Sequence, residues 1–202
     1  MFTGIVTAMG MFGGLKQGRR EIWVGDPGLG SKIGPGDSLA VNGICLTLVR
    51  KAPGSLIFEL SRETLVRTNL GALRPGSPLN LELPLTPASL IGGHIVSGHI
   101  DGTGKVVRLT GRAPGKRLVV SFPGNLRPYF VPKGSVAVNG VSLTIAGLKA
   151  SSFEVELIPL TLETTNLGGL RGGDPVNLEC DIIGKYVYNF ACESPWKKRA
   201  GL

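Results

Sequence analysis

The chain has 202 residues, of which 42% are apolar and 18% charged, enough to bury a core and too little charge for a disordered polymer. A formal charge of +8 suits an anionic partner, but with aromatics at only 6% no basic groove interleaved with aromatic rings is seen, which argues against a nucleic-acid binder. Cys45, Cys180 and Cys192 are odd in number, widely spaced and form no CxxC pair, so neither a disulfide framework nor a zinc site is indicated and a reducing cytoplasm fits.

Taken in chain order, the start MFTGIVTAMG has no basic region followed by a continuous apolar one. No later run reaches about 18 uninterrupted apolar residues, so neither export nor a membrane span is expected. Short apolar runs then follow, EIWVG, SLAV, CLTLV, LIFEL and LNLEL, reading as strands punctuated by turn residues. Among these punctuations, Asn42-Gly43 is a dipeptide suited to a tight hairpin turn. Before the last run, TLVRTNLGAL resembles a helical turn that TNLG would end.

The stretch IGGHIVSGHIDGTG at 91–104 carries both histidines, His94 and His99. No cluster of Cys, Asp or Glu stands beside them, so no metal is expected. Gly92, Gly93, Gly98, Gly102 and Gly104 would let the backbone approach a ligand closely. A second set of strands follows at RLVVSF, SVAV, SLTIA, FEVEL and VNLEC, with Asn139-Gly140 as the turn and TLETTNLGGL as the helical segment. Beyond Cys180, Ile182, Ile183, Tyr186, Val187 and Phe190 have the spacing of a helix with one apolar stripe. Trp196-Lys197-Lys198-Arg199 reads as a solvated terminus.

These two sets are copies of one another. AVNGICLTL at 40–48 recurs as AVNGVSLTI at 137–145, a shift of 97, and about half of the positions from Pro35 to Glu82 are identical to their counterparts. Such a period is too long for a solenoid, so a duplicated domain is expected. Upstream, GIV at 4–6 is expected near GTG at 102–104, with a slippage of about one residue. Cys45 and Thr47 should share one strand face and Ile44, Leu46 and Leu48 the other, as should Ser142 and Thr144 against Val141, Leu143 and Ile145. Phosphate-loop, dinucleotide and GxSxG motifs are missing from the sequence.

Together, MFTGIV, the NGxCLT and NGxSLT pair, GGHxxxGH and the two TxxxTNLG segments resemble the riboflavin synthase α-chain family of tandem lumazine-binding domains. The resemblance covers essentially the whole chain. It implies an all-β fold of two tandem six-stranded Greek-key barrels plus a C-terminal helix. The implied boundaries are 1–97 for the first barrel, 98–181 for the second, and 182–202 for the helix and basic tail. It further implies a transferase that dismutates two 6,7-dimethyl-8-ribityllumazine molecules to riboflavin and 5-amino-6-ribitylamino-2,4-pyrimidinedione, the last step of riboflavin biosynthesis, without metal or organic cofactor. A cytoplasmic homotrimer with sites between chains is implied, in some relatives docked inside a lumazine synthase shell. The alternative is a non-catalytic lumazine or flavin carrier of the same superfamily.

Carried over residue by residue, the resemblance implies a first pocket of Gly4, Ile5 and Val6, Cys45, Leu46 and Thr47, and Glu59, Leu60, Ser61, Arg62, Glu63 and Thr64, with Phe2 and Ser38 close by. The second would hold Gly98, His99 and Ile100, Lys133, Ser142, Leu143 and Thr144, and Glu156, Leu157, Ile158, Pro159, Leu160 and Thr161. Cys45, Ser142 and His99 are the expected catalytic residues: a proton shuttle or transient nucleophile, an orienting hydroxyl, and an acid or base. Two positions depart from the family pattern. Asn139 stands where Asp is common, and Leu160 where some members have Glu or His, while its counterpart Glu63 keeps an ionisable group.

Overall fold

The structure, a computed structural model, describes residues 1–16, 18, 20–111 and 114–193. The basic cluster at 196–199 lies outside the described residues. Twelve strands form two closed barrels with the same ring order. In the first, β1 (Ala8–Lys16), β2 (Glu21–Gly25), β3 (Ser38–Val41), β4 (Ile44–Ala52), β5 (Ser55–Glu59) and β6 (Pro78–Glu82) are arranged 1-2-5-4-3-6. In the second, β7 (Gly102–Thr110), β8 (Lys116–Ser121), β9 (Ser135–Val138), β10 (Val141–Leu148), β11 (Ser152–Leu157) and β12 (Pro175–Cys180) follow the equivalent ring 7-8-11-10-9-12. All pairings are antiparallel, in the Greek-key order.

Closure depends on bends that recur at matching places. Bulges interrupt β1 between Phe12 and Gly14, β4 between Leu48 and Arg50, β7 between Val106 and Arg108, and β10 between Ile145 and Gly147. Each adds local twist, which lets six strands curl into a ring. Inward-facing Leu39, Leu46, Leu48, Phe58 and Leu79 fill the first barrel, and Val136, Leu143, Ile145, Phe153 and Val176 the second. Each such side chain contributes about 1.5–3 kcal/mol by burial.

The opening strand of each copy was hard to read because β1 carries Gly10, Gly13 and Gly14, which erase the alternation. Gly10 is there for packing, since a Cβ on it would lie 2.8 Å from Leu81 and 2.9 Å from the Gly25 carbonyl. The slippage between copies is also larger than expected. Gly4 and Gly98 hold equivalent places, each accepting from the reactive strand of the other barrel, so GIV at 4–6 matches GHI at 98–100 and not GTG at 102–104. Loops absorb the difference.

Short helices close one end of each barrel: α1 (Arg62–Arg67) and α2 (Pro159–Thr164), each followed by a 3-10 turn over the TNLG residues. Ser61 caps α1 by accepting from the Thr64 N–H, whereas α2 starts on Pro159 with no side-chain cap. α3 (Ile182–Glu193) lies against the turn at 124–129, with Tyr188 edge-on to Tyr129 at 5.3 Å. Lys185 bridges to Asp101 at 2.7 Å. Ile183, Tyr186, Val187 and Phe190 on α3 remain exposed.

The barrels are joined about a local two-fold axis. The two Asn-Gly turns stand back to back: a Cβ on Gly43 would be 2.7 Å from the Gly140 nitrogen, and one on Gly140 would be 2.6 Å from that of Gly43. Asn42 and Asn139 have φ values of 48° and 46°, as a tight hairpin turn requires. Around them six asparagines are interleaved. Asn80 Oδ1 accepts from the Asn166 N–H and Asn177 Oδ1 from the Asn69 N–H, both at 2.7 Å. Asn80 Nδ2 donates to the Asn139 carbonyl at 2.9 Å and Asn177 Nδ2 to that of Asn42 at 3.0 Å. The TNLG segment of each copy therefore binds the other barrel.

Candidate active site

Two clefts flank this axis, and each is built from both copies. The first, of about 270 Å³, is lined by Ile44 and Cys45 on β4, Ser61, Glu63, Thr64, Arg67 and Thr68 in and after α1, and Gly98, His99 and Ile100 from the segment that opens the second copy. The second, of about 570 Å³, is lined by Val141 and Ser142 on β10, Ile158, Leu160, Thr161, Thr164 and Thr165 at α2, and Gly4 to Met9 from the segment that opens the first.

Sequence reasoning had grouped Gly4, Ile5 and Val6 with Cys45, and Gly98, His99 and Ile100 with Ser142. The structure exchanges them. Each opening segment crosses to the opposite barrel, so that the Ser142 N–H donates to the Gly4 carbonyl at 2.8 Å and the Cys45 N–H to that of Gly98 at 2.9 Å. Phe2 and Val96 exchange hydrogen bonds at 2.7 and 3.1 Å where the two segments meet. The glycines serve this protein–protein contact: a Cβ on Gly98 would lie 2.5 Å from Cys45 Cβ, and one on Gly93 2.2 Å from the Thr3 carbonyl.

The alternation along the reactive strands is as expected, with Cys45 and Ser142 half-buried, Thr47 and Thr144 exposed, and Leu46, Leu48, Leu143 and Ile145 in the cores. Leu46, Leu60, Leu143 and Leu157 thus point into the barrel cores. Phe2 is fully buried at the junction with Ala40, Val96 and Ala137. Ser38 and Thr47 are cross-strand partners. Exposed Glu59 and Arg62 lie outside the lining of the first cleft, and Glu156, paired with Arg117 at 2.5 Å, and Pro159 outside that of the second. Lys133, also off both linings, has φ +65° at the place where the first copy has Gly36, a left-handed conformation that strains a side chain with a Cβ. Asn139 is 2% exposed and its Oδ1 accepts from the Asn177 N–H at 2.9 Å. At that place it is a seam residue, so an acid–base role is not what the position supplies.

The clefts occupy equivalent places in the two copies and differ in size and chemistry. Where the first has Cys45, Ser61, Glu63, Arg67 and His99, the second has Ser142, Ile158, Leu160, Thr164 and Ile5. Glu63 and Arg67 pair across one helical turn at 2.8 Å. Ser142 of the second cleft has an ionisable neighbour off the cleft lining, His94, whose Nδ1 lies 2.7 Å from Ser142 Oγ. Burial lowers its pKa, opposed only in part by the charge of Asp181, so the imidazole is neutral at pH 7. Nε2 of His94 is buried with no partner among the described residues. When Nδ1 carries the proton it donates to Ser142, freeing that hydroxyl to donate to a ligand.

From the sequence His94 is weighed as a metal ligand or, more ordinarily, a capping or core residue, and it is not among the expected site residues. Its partner Ser142 lies 48 residues away in sequence, so no local pattern marks it. Arg67, Thr68, Thr164 and Thr165 were missed as well, although Ser61, Thr64 and Thr68 recur at three and four residues, one face of a helix. The two histidines serve different clefts, His99 lining the first and His94 contacting Ser142 of the second.

Comparisons with known proteins agree with this geometry. The family described as Lumazine binding domain matches residues 3–84 and 97–181. The chain is 44% identical to the riboflavin synthase of Mycobacterium tuberculosis, covering 93% of this chain and 96% of that protein. It is 39% identical to that of Actinobacillus pleuropneumoniae, covering 96% and 92%. Among solved structures, LumP complexed with riboflavin superposes with a TM-score of 0.84 at 26% identity, over 89% of this chain and 99% of that one.

Proposed function

We propose, from the premise that the chain belongs to the lumazine binding domain family, that it is a riboflavin synthase: it takes two molecules of 6,7-dimethyl-8-ribityllumazine and transfers a four-carbon unit between them, yielding riboflavin and 5-amino-6-ribitylamino-2,4-pyrimidinedione. The relatives matched over nearly their whole length bear that name. The observation that carries the reading is the pair of equivalent clefts with unequal reactive groups. A reaction between two copies of one molecule needs two similar cradles. It also needs one ring to lose a C7-methyl proton while the other accepts a carbon nucleophile, so the cradles must differ chemically.

In this reading Cys45 serves as proton shuttle or transient nucleophile in the first cleft, with His99 as acid or base beside it. Ser142, oriented by neutral His94, donates to the ring in the second. Holding the rings against each other supplies the entropic advantage of an intramolecular encounter, several kcal/mol of barrier. We divide the chain into lumazine-binding units at 1–97 and 98–181 and an assembling segment at 182–202. We place the protein in the cytoplasm as a homotrimer with the first barrel of one copy facing the second of its neighbour; the exposed stripe of Ile183, Tyr186, Val187 and Phe190 supports assembly through α3. Docking inside a lumazine synthase shell belongs to the same reading and is tested by co-sedimentation. Among the described residues no helix is long and apolar enough to cross a membrane.

Incubating the purified protein with dimethylribityllumazine and following riboflavin absorbance tests the activity. One riboflavin should form for every two lumazines consumed. Tight binding without turnover would make the protein a carrier instead.

A further inference from the structure

We propose that Glu82 and Glu179 are positioning residues, each holding the opening segment of its own copy so that this segment fixes the reactive strand of the other copy. Glu179 thereby sets Cys45 in the first cleft, and Glu82 sets Ser142 in the second.

Both carboxylates are buried, at 6% and 2% exposure. Glu82 Oε1 accepts from the N–H and hydroxyl of Thr3 at 2.6 and 2.7 Å, and Oε2 from the Gly4 N–H at 3.0 Å. Glu179 repeats the pattern with the N–H and hydroxyl of Ser97, both at 2.6 Å, and the Gly98 N–H at 3.0 Å. Three donors converging on one group call for an acceptor with two oxygens and no hydrogen, which is a carboxylate. An amide would turn an NH2 toward the glycine N–H.

From the glycine the chain of contacts continues to the site. The carbonyl of Gly98 receives the Cys45 N–H at 2.9 Å, and that of Gly4 the Ser142 N–H at 2.8 Å. Neither glycine leaves room for a methyl group against its partner, so a shift of the segment moves the thiol or the hydroxyl with it. A second line runs through the hydroxyls. Ser97 Oγ also accepts from the His99 N–H at 3.2 Å, and Thr3 Oγ1 from the Ile5 N–H at 3.1 Å, which ties each carboxylate to a lining residue of the same cleft. Neither carboxylate lines a cleft itself.

This wiring is crossed, and so is its test. Amide hydrogen exchange at Cys45 and Ser142 is measured in the full chain for Glu179→Gln and Glu82→Gln. Glu179→Gln should accelerate exchange at Cys45 about tenfold and leave Ser142 within about twofold, and Glu82→Gln should do the reverse. Alkylation of Cys45 by iodoacetamide, resolved by peptide mass, should change roughly threefold in Glu179→Gln alone. Turnover on dimethylribityllumazine should show kcat lowered about tenfold with KM little altered.

Should the glutamine variants not fold, Ser97→Ala and Thr3→Val each remove one donor and should give the same crossed pattern at about threefold. Equal acceleration of both amides in every variant, or of neither, overturns the proposal. The turnover arm alone rests on the riboflavin synthase reading. A crossed exchange pattern in a protein that forms no riboflavin would leave the positioning intact and remove that reading.

Discussion

His94 Nδ1 lies 2.7 Å from Ser142 Oγ, and no equivalent contact is found at Cys45 among the described residues. Burial holds the imidazole pKa below its ordinary value of 6.5. In the unfolded chain it titrates near that value, so the folded protein binds fewer protons than the unfolded one in the interval beneath it. The resulting stability is full above about pH 6.5 and is lost as pH falls through that value toward the lower folded pKa. Urea unfolding at pH 8, 6.5 and 5 should therefore show the native chain losing stability relative to His94→Asn on acidification. Riboflavin formation should fall over the same interval, as protonation places a charge and an N–H on the buried, unpartnered Nε2 and disturbs the imidazole that orients Ser142.

Exchanging the reactive groups should impair turnover. Cys45→Ser and Ser142→Cys each keep a side chain of nearly the same size, half-buried on the same strand face, so lumazine binding measured by fluorescence should change little. Riboflavin formation should slow by roughly ten- to a hundredfold in each, the scale of a lost acid–base or nucleophilic contribution. Unaltered rates in both variants would show that the difference between the clefts carries no chemistry.

Lys133 occupies the left-handed region with φ +65°, at the position filled by Gly36 in the first copy. Lys133→Gly should stabilise the protein by about 1 kcal/mol, raising Tm by roughly 2–4 °C, as thermal denaturation would show. A gain in stability joined to a loss of turnover would assign the ammonium group a part in the reaction.

The asparagine seam offers an internal comparison. Asn166 Oδ1 accepts from Asn80 Nδ2 at 3.0 Å, whereas its counterpart Asn69 Oδ1 is buried without a partner among the described residues. Removing Asn69 therefore deletes fewer bonds. Asn166→Ala should cost about 2–3 kcal/mol and Asn69→Ala about 1 kcal/mol less, measured by denaturant unfolding of the full chain.

Phe190 is 72% exposed on α3 and Tyr186 71%, which leaves a stripe apt for a second copy. In the proposed homotrimer this stripe is the contact, so Tyr186→Glu and Phe190→Glu should shift sedimentation toward monomer, since each would bury an unpaired charge there; an unchanged sedimentation coefficient would remove that assembly. Because the clefts are expected to be completed between chains, turnover should fall with the trimer fraction.

Much of the barrel fold was legible in the spacing of short apolar runs, and the alternation in CLTLV and SLTIA told which side chains face outward. Local pattern fails where glycine replaces the alternating residue, as in β1. It also fails where the partner is distant in sequence: nothing in GIV or GHI states which barrel the segment lies on. The pairing of Gly4 with Ser142 and of Gly98 with Cys45 is a tertiary fact, and the cleft membership followed it. His94 was lost for the same reason, since its contact with Ser142 spans 48 residues; the shift of 97 holds for the strands carrying the reactive groups and not for the segments leading into them.

The back-to-back Asn-Gly turns bear on how a doubled gene can diverge. Main chain meets main chain there, so a side chain gained by either half would collide with its twin, and no change in one half can be answered by a smaller residue in the other. That point is locked against drift by its own mirror image. Farther from the axis no such mutual veto operates, which left the walls free to become cysteine on one side and serine on the other.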